Sequence, residues 1–202
     1  MATITYAFAP IVGETTLNQN TTGVQSLPAT ADLAGGGYIS VWNNQDNISG
    51  RIFENSGAAR TAEFTINTTL TGSQSDPEVV GLVGGRAVAV WTDFGGAEAE
   101  IRAQMINSDG TLFGPEIFVS EQVGTVGTAG AQTAPDVAAL SDGGWVVTWQ
   151  DNDGLNDNDV LASIYNADSS FRTGFINVNG GADNDILPTV APITGGFAII
   201  YR

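Results

Sequence analysis

The chain has 202 residues, is 42% hydrophobic and only 14% charged, and carries 26 glycines. That composition excludes a coiled coil and a typical helical bundle, and suits an all-β protein with many tight turns. With 22 acidic against 6 basic residues, a net charge of −16 and neither Cys nor His, the chain is a poor fit to nucleic acid or a polybasic membrane contact, and has no thiol nucleophile, Cys/His zinc site or imidazole acid–base chemistry.

The N-terminus, Met1-Ala2-Thr3-Ile4-Thr5, has neither the positive nor the apolar region of a secretory signal peptide, and no run approaches the 18 apolar residues of a membrane span. Ile4-Thr5-Tyr6 and Gly13 to Asn18 instead read as two short strands. A motif then begins at Gln25-Ser26-Leu27-Pro28, passes Leu33 and the Gly35-Gly36-Gly37 turn, and ends in Tyr38 to Trp42. Two more strands follow, Ile48 to Phe53 and Glu63 to Asn67, joined by the Glu54-Asn55-Ser56-Gly57 turn. The motif returns at Gln74 to Pro77, Leu82, Gly84-Gly85 and Val88 to Trp91, with strands at Ile101 to Ile106 and Glu116 to Ser120. The third copy runs from Gln132-Thr133-Ala134-Pro135 through Leu140 and Gly143-Gly144 to Trp145–Trp149, then Val160 to Tyr165 and Phe175 to Asn179. The fourth is Asp185-Ile186-Leu187-Pro188, Ile193, Gly195-Gly196 and Phe197 to Tyr201.

Two independent anchors hold this alignment. The prolines at 28, 77, 135 and 188 are spaced by 49, 58 and 53; the closing aromatics at 42, 91, 149 and 201 are spaced by 49, 58 and 52. Each unit thus holds four strands, a to d, with Gly-Gly hairpins between a and b. The last unit stops after b, and residues 1–18 supply the missing c and d. Joining the ends removes the sheet edges at a seam, which a closed ring needs and an open array does not. The expected fold is a four-bladed β-propeller of four antiparallel strands per blade, a single domain over 1–202. Its blades are 24–67, 73–120, 131–179, and 185–202 plus 1–18, the ring closing by pairing N-terminal c and d with C-terminal a and b.

Along strand b, Tyr38, Trp42, Trp91, Trp145, Trp149, Phe197 and Tyr201 fall on one face and Ile39, Val41, Val88, Val90, Val146 and Ile200 on the other. A strand apolar on both faces is buried on both faces, so these rings are expected in the core between blades. A ligand on the variable b–c and d–a loops would instead use Trp42, Trp91 and Trp149 for stacking, together with Asp93. The b–c loop Asp151-Asn152-Asp153-Gly154-Leu155-Asn156-Asp157-Asn158-Asp159 spaces carboxylates around a glycine, as a hard cation requires. Asp151, Asp153, Asp157 and Asp159 are the candidate calcium ligands, with a solvated polar turn as the alternative. The residues after the prolines, Ala29, Glu78, Asp136 and Thr189, point either into a central channel or at a neighbouring blade; spacing does not decide between them.

The string Pro135 to Gln150, with Ile164 to Asp168 and Asn177-Val178-Asn179, resembles a repeat of large secreted bacterial proteins that carry hemolysin-type (RTX) calcium-binding repeats, many of them adhesins. The resemblance implies a secreted or cell-surface module, exported without an N-terminal signal peptide. The Gly-Gly-x-Gly-x-Asp calcium repeats themselves are absent. Blade number is similar to hemopexin-type propellers, a likeness of architecture alone. The expected function is a non-enzymatic, adhesin-like module binding a glycan or cell-surface partner, with calcium assisting. A structural or assembly propeller comes second and a polysaccharide-acting enzyme with a carboxylate site third. Either a monomer or a strand-swapped oligomer fits the chain.

Overall fold

The computed structural model describes residues 16–120, 130–152, 158–178 and 184–202. These contain fourteen strands and no helix. The first sheet is β1 (Gln25–Asp32), β2 (Tyr38–Asn44), β3 (Asn47–Phe53) and β4 (Phe64–Thr65); the second is β5 (Gln74–Gly81), β6 (Ala87–Asp93), β7 (Glu100–Ile106) and β8 (Leu112–Phe118). The third is β9 (Gln132–Ala139), β10 (Trp145–Asn152), β11 (Asn158–Tyr165) and β12 (Phe171–Asn177); the fourth holds only β13 (Thr189–Ile193) and β14 (Gly196–Ile200). Every pairing is antiparallel between sequence neighbours, as hairpin connections dictate.

The repeat in sequence is a repeat in local chemistry. The Leu-x-x-Gly hairpin closes in the same way in the first three sheets, with Leu33 N–H donating to Gly37 O, Leu82 to Arg86 and Leu140 to Gly144 at 2.7–3.0 Å. In the turns from β7 to β8 and from β11 to β12, Asp109 and Asp168 accept from Thr111 and Ser170 N–H at 2.9 Å. Such turns are local, so each sheet is specified by its own sequence.

One sheet alone leaves two apolar faces, and the sheets bury them on each other. One core cluster joins Ile39, Val41, Ile52 and Ile66 of the first sheet to Val79, Ala89 and Trp91 of the second. Another joins Val88, Val90, Ile101 and Met105 to Val137, Trp145, Val147 and Trp149 of the third. A smaller one joins Ala138, Val146 and Ala162 to Val190 of the fourth. The first strands β1, β5, β9 and β13 lie side by side in that order. The approach is close: a Cβ on Gly81 would collide with the Asp32 carbonyl.

The all-β expectation and the stacked four-stranded sheets are therefore present, but no closed ring is seen among the described residues. The fourth sheet has two strands, and the segment expected to complete it falls almost wholly on residues 1–15, outside the described residues.

Candidate functional site

The proline motif creates a repeated irregularity in the first strands. The residue before each proline has a left-handed backbone: Leu27, Asp76, Ala134 and Leu187 have φ of 51°, 52°, 52° and 53°. Non-glycine residues occupy that region at a cost, and several do so here at equivalent positions. In β1, β5 and β9 the ladder takes up one extra residue at this point. Pairing passes from Ser75↔Thr92 to Glu78↔Val90, and from Thr133↔Gln150 to Asp136↔Thr148. A bulge of this kind bends the strand and re-aims the side chains beyond it. Here it re-aims Glu78 and Asp136.

Glu78 from β5 and Asp136 from β9 line one concavity of about 470 Å³, together with Asp76, Ala134, Pro135 and Leu187–Thr189. Of the residues after the prolines, Glu78, Asp136 and Thr189 thus share a concavity along the first strands, whereas Ala29 packs against the core between the first two sheets. Asp136 is held on both oxygens: Oδ1 accepts from Val137 N–H at 2.9 Å and Oδ2 from Val190 N–H of β13 at 2.7 Å. Burial nevertheless pushes its carboxyl above the usual value, the two backbone bonds only partly opposing it. Glu78 keeps contact with solvent. Its carboxyl is also pushed up, first by desolvation, then by the charges of Asp136 and Asp76. No Arg lines the concavity. It holds three acids, and the carboxyls of Glu78 and Asp136 are both pushed upward.

The other candidate residues are placed differently. Trp91 and Trp149 are fully buried in the clusters between sheets, and Trp42 is 4% exposed beside Leu17, Gln25 and Pro28. Asp93 is buried against Arg102, which also reaches Glu116 at 3.0 Å and lies over the Phe118 ring at 4.2 Å. Its Oδ1 accepts from Gly95 N–H at 2.8 Å, so the carboxylate is committed to its own loop. Asp151 and Asp159 sit opposite each other across β10 and β11. Asp151 accepts from Gln132 Nε2 at 2.7 Å, and Asn177 Nδ2 approaches Asp159 at 3.5 Å. Asp153 and Asp157 lie outside the described residues. Among the described residues no group of three or more acids is gathered as for a metal ion.

No protein-family profile matches the chain, and no curated protein matches it in sequence. Solved structures do match in fold. A thermostable family-43 glycoside hydrolase aligns with TM-score 0.54 at 11% identity, over 84% of this chain and 62% of that one. An endo-arabinase from Bacteroides thetaiotaomicron gives 0.51 at 15%, over 86% and 68%. The GH93 α-L-arabinofuranosidase of Fusarium graminearum, solved with arabinobiose, gives 0.57 at 11%, over 92% and 65%. At such identities the likeness is one of fold, of the propeller type, and this chain spans about three-fifths to two-thirds of their lengths.

These neighbours correct the reading of the chain as a non-enzymatic, adhesin-like module. The solved structures that share its fold are glycoside hydrolases, so the fold does not support that reading. The reading erred for a physical reason. Sequence alone marks out no pair of carboxyls in a setting that raises a pKa. That setting arises only when β5 and β9 are packed side by side, 58 residues apart in sequence between Glu78 and Asp136.

Proposed function

We propose that the chain is a glycan-acting hydrolase, with Glu78 and Asp136 as its working carboxylates. The fold we propose around them is a four-bladed propeller whose axis follows the four first strands. One observation carries the reading: two acids from adjacent sheets share a concavity, and burial pushes both carboxyls upward from their usual values. Glycoside hydrolysis needs a carboxylic acid that is still protonated near neutral pH and a companion carboxylate. Glu78 is the proton donor to the departing glycosidic oxygen, since it faces solvent and two neighbouring charges hold its proton. Asp136 is the companion, fixed in orientation by two backbone N–H groups.

The lining supports a neutral glycan. It offers carboxylates and apolar surface from Pro135, Leu187 and Pro188, and no cation to hold a uronic acid. Two structural neighbours, an endo-arabinase and an α-L-arabinofuranosidase solved with arabinobiose, are consistent with that class. The resemblance to RTX-associated repeats supports a secreted or surface setting, and the acidic 151–159 loop supports calcium as an auxiliary ion there.

The test is release of reducing ends from a panel of neutral polysaccharides, arabinan included, with uronic-acid polymers as controls. Glu78→Gln and Asp136→Asn are each expected to lower kcat by about 10²–10⁴-fold, the usual share of a general acid or base. Turnover by the native chain that survives both substitutions unchanged would remove these residues from the chemistry. No turnover on any neutral glycan would remove the hydrolase reading itself.

A further inference from the structure

The first and second sheets each carry a further cavity, built at the same ladder positions. Asn44 and Asp93 lie opposite Gln25 and Gln74, and Ser49 and Arg102 opposite Trp42 and Trp91. Thr65 and Phe118 lie opposite Ser49 and Arg102 in turn. A glutamate two residues before each of these clamps the incoming chain. Glu63 Oε2 accepts from Gln19 and Asn20 N–H at 2.7 and 3.0 Å, and Glu116 Oε2 from Thr68 and Thr69 N–H at 2.6 and 3.1 Å. The result is a cavity of about 330 Å³ at Asn44 and Ser49, and one of about 360 Å³ at Asp93 and Arg102. Neither shares a lining residue with the concavity of Glu78 and Asp136.

The groups left unspent decide what each cavity takes. In the second, Arg102 is held by Asp93 at Nε, by Glu116 at Nη1 and by the Phe118 ring. Its Nη2 lines the cavity side and donates to nothing among the described residues. The carboxylates around it already accept: Asp93 from Gly95 N–H, Glu98 from Gly130 N–H and Glu100 from the Ser120 hydroxyl. The open group is therefore a donor on a fixed guanidinium, and the ligand must bring an acceptor. Three acids against one Arg in the lining repel an anion. An ammonium group has no acceptor, whereas a hydroxyl accepts and donates without charge. In the first cavity Ser49 and Asn44 stand in place of Arg102 and Asp93, beside Gln19 and Asn20. Apart from Glu63 its polar groups are neutral amides and hydroxyls, which again pair with hydroxyls.

We propose that these two cavities are auxiliary subsites for neutral sugar units, with Arg102 Nη2 donating to a sugar hydroxyl in the second. The ligand class rests on the glycan reading above; the binding does not depend on Glu78 and Asp136 being catalytic.

Affinity electrophoresis reads binding apart from turnover. The Glu78→Gln chain is run in gels containing neutral polysaccharides, arabinan among them, with polygalacturonate and chitosan as charged controls. Ala97 and Thr65 are exposed and line the second and first cavities, so Ala97→Leu and Thr65→Leu fill them without touching the core. Each filled variant is expected to melt within about a degree of its parent and to bind about tenfold more weakly. Arg102→Lys keeps the charge but removes Nη2, and should also cost about tenfold, the share of a hydrogen bond to a charged group. Undiminished retardation of a filled variant overturns the subsite it fills. Retardation by no neutral polymer, or stronger retardation by either charged control, overturns both. Native turnover with unchanged KM in the filled variants leaves the hydrolase and removes the subsites; binding lost on filling, in a chain that never turns over, does the reverse.

Discussion

Replacing Trp91 with alanine separates a core role from a ligand-stacking role. Trp91 is fully buried in the cluster that joins the first and second sheets, with Ile39, Val41, Ile66, Ala87 and Ala89. Its Nε1 has no hydrogen-bond partner among the described residues, so the change removes packing alone. A buried Trp takes roughly 200 Å² out of water, which at about 25 cal/mol/Å² is about 5 kcal/mol. Large-to-small core substitutions of Trp cost about 3–5 kcal/mol, so the two routes agree. At about 2–4 °C per kcal/mol for a domain of this size, the melting temperature should fall by roughly 6–20 °C. Thermal melts followed by near-UV circular dichroism measure it, beside Trp91→Phe, which keeps an aromatic ring and should lose less. A Trp91→Ala protein that melts within about a degree of the native one, yet loses glycan affinity, would refute the burial argument and restore the stacking role.

Glu116 should tie stability to acid pH. Burial pushes its carboxyl up, but the bonds from Thr68 and Thr69 outweigh this and hold it below the usual value. A depressed carboxyl contributes stability that is complete above its unfolded-state pKa and is lost as pH falls through the folded-state value. Urea melts should show the native chain losing more stability below about pH 4.5 than Glu116→Gln does, and Glu116→Ala should cost about 2–3 kcal/mol at pH 7; parallel pH profiles would refute the assignment. Glu78 has the opposite sign, its pKa being raised. The folded state holds the proton more tightly, so the charged form is a burden that grows as pH rises above the ordinary carboxylate range. Glu78→Gln should therefore melt higher than the native chain at pH 8 and not at pH 4, while losing activity. Calcium at about 100 times its Kd should add about 2.7 kcal/mol, roughly 5–11 °C, reversed by EDTA and absent in Asp159→Asn; a melt unmoved at millimolar calcium removes the ion from the 151–159 loop.

The sheet structure was legible in the sequence because every signal for it is local. Gly-Gly hairpins and apolar runs, which recur four times, and Asp-capped turns, which occur twice, all act over a few residues. The burial of strand b on both faces was legible as well, since a run such as Trp145 to Trp149 has no polar side to turn outward. The left-handed residue before each proline, with its bulge in β1, β5 and β9, was not read, although the proline itself recurs four times. Periodicity is blind to a residue in a left-handed conformation, and that one residue changes which face Glu78 and Asp136 present.

What only the tertiary structure decided is the company each acid keeps. Asp151 and Asp93 looked available in sequence, but strand pairing binds one to Gln132 and the other to Arg102, each on a neighbouring strand. Glu78 and Asp136 looked ordinary, but packing β5 beside β9 puts them in one concavity and desolvates both. A carboxyl group's pKa is set by the solvent it loses and the charges it meets, and both are properties of the packed sheets. The sequence by itself determined the strands, turns and repeat, since these follow from short-range sterics and hydrogen bonding; the chemistry of the site waits on which strands the apolar faces bring together.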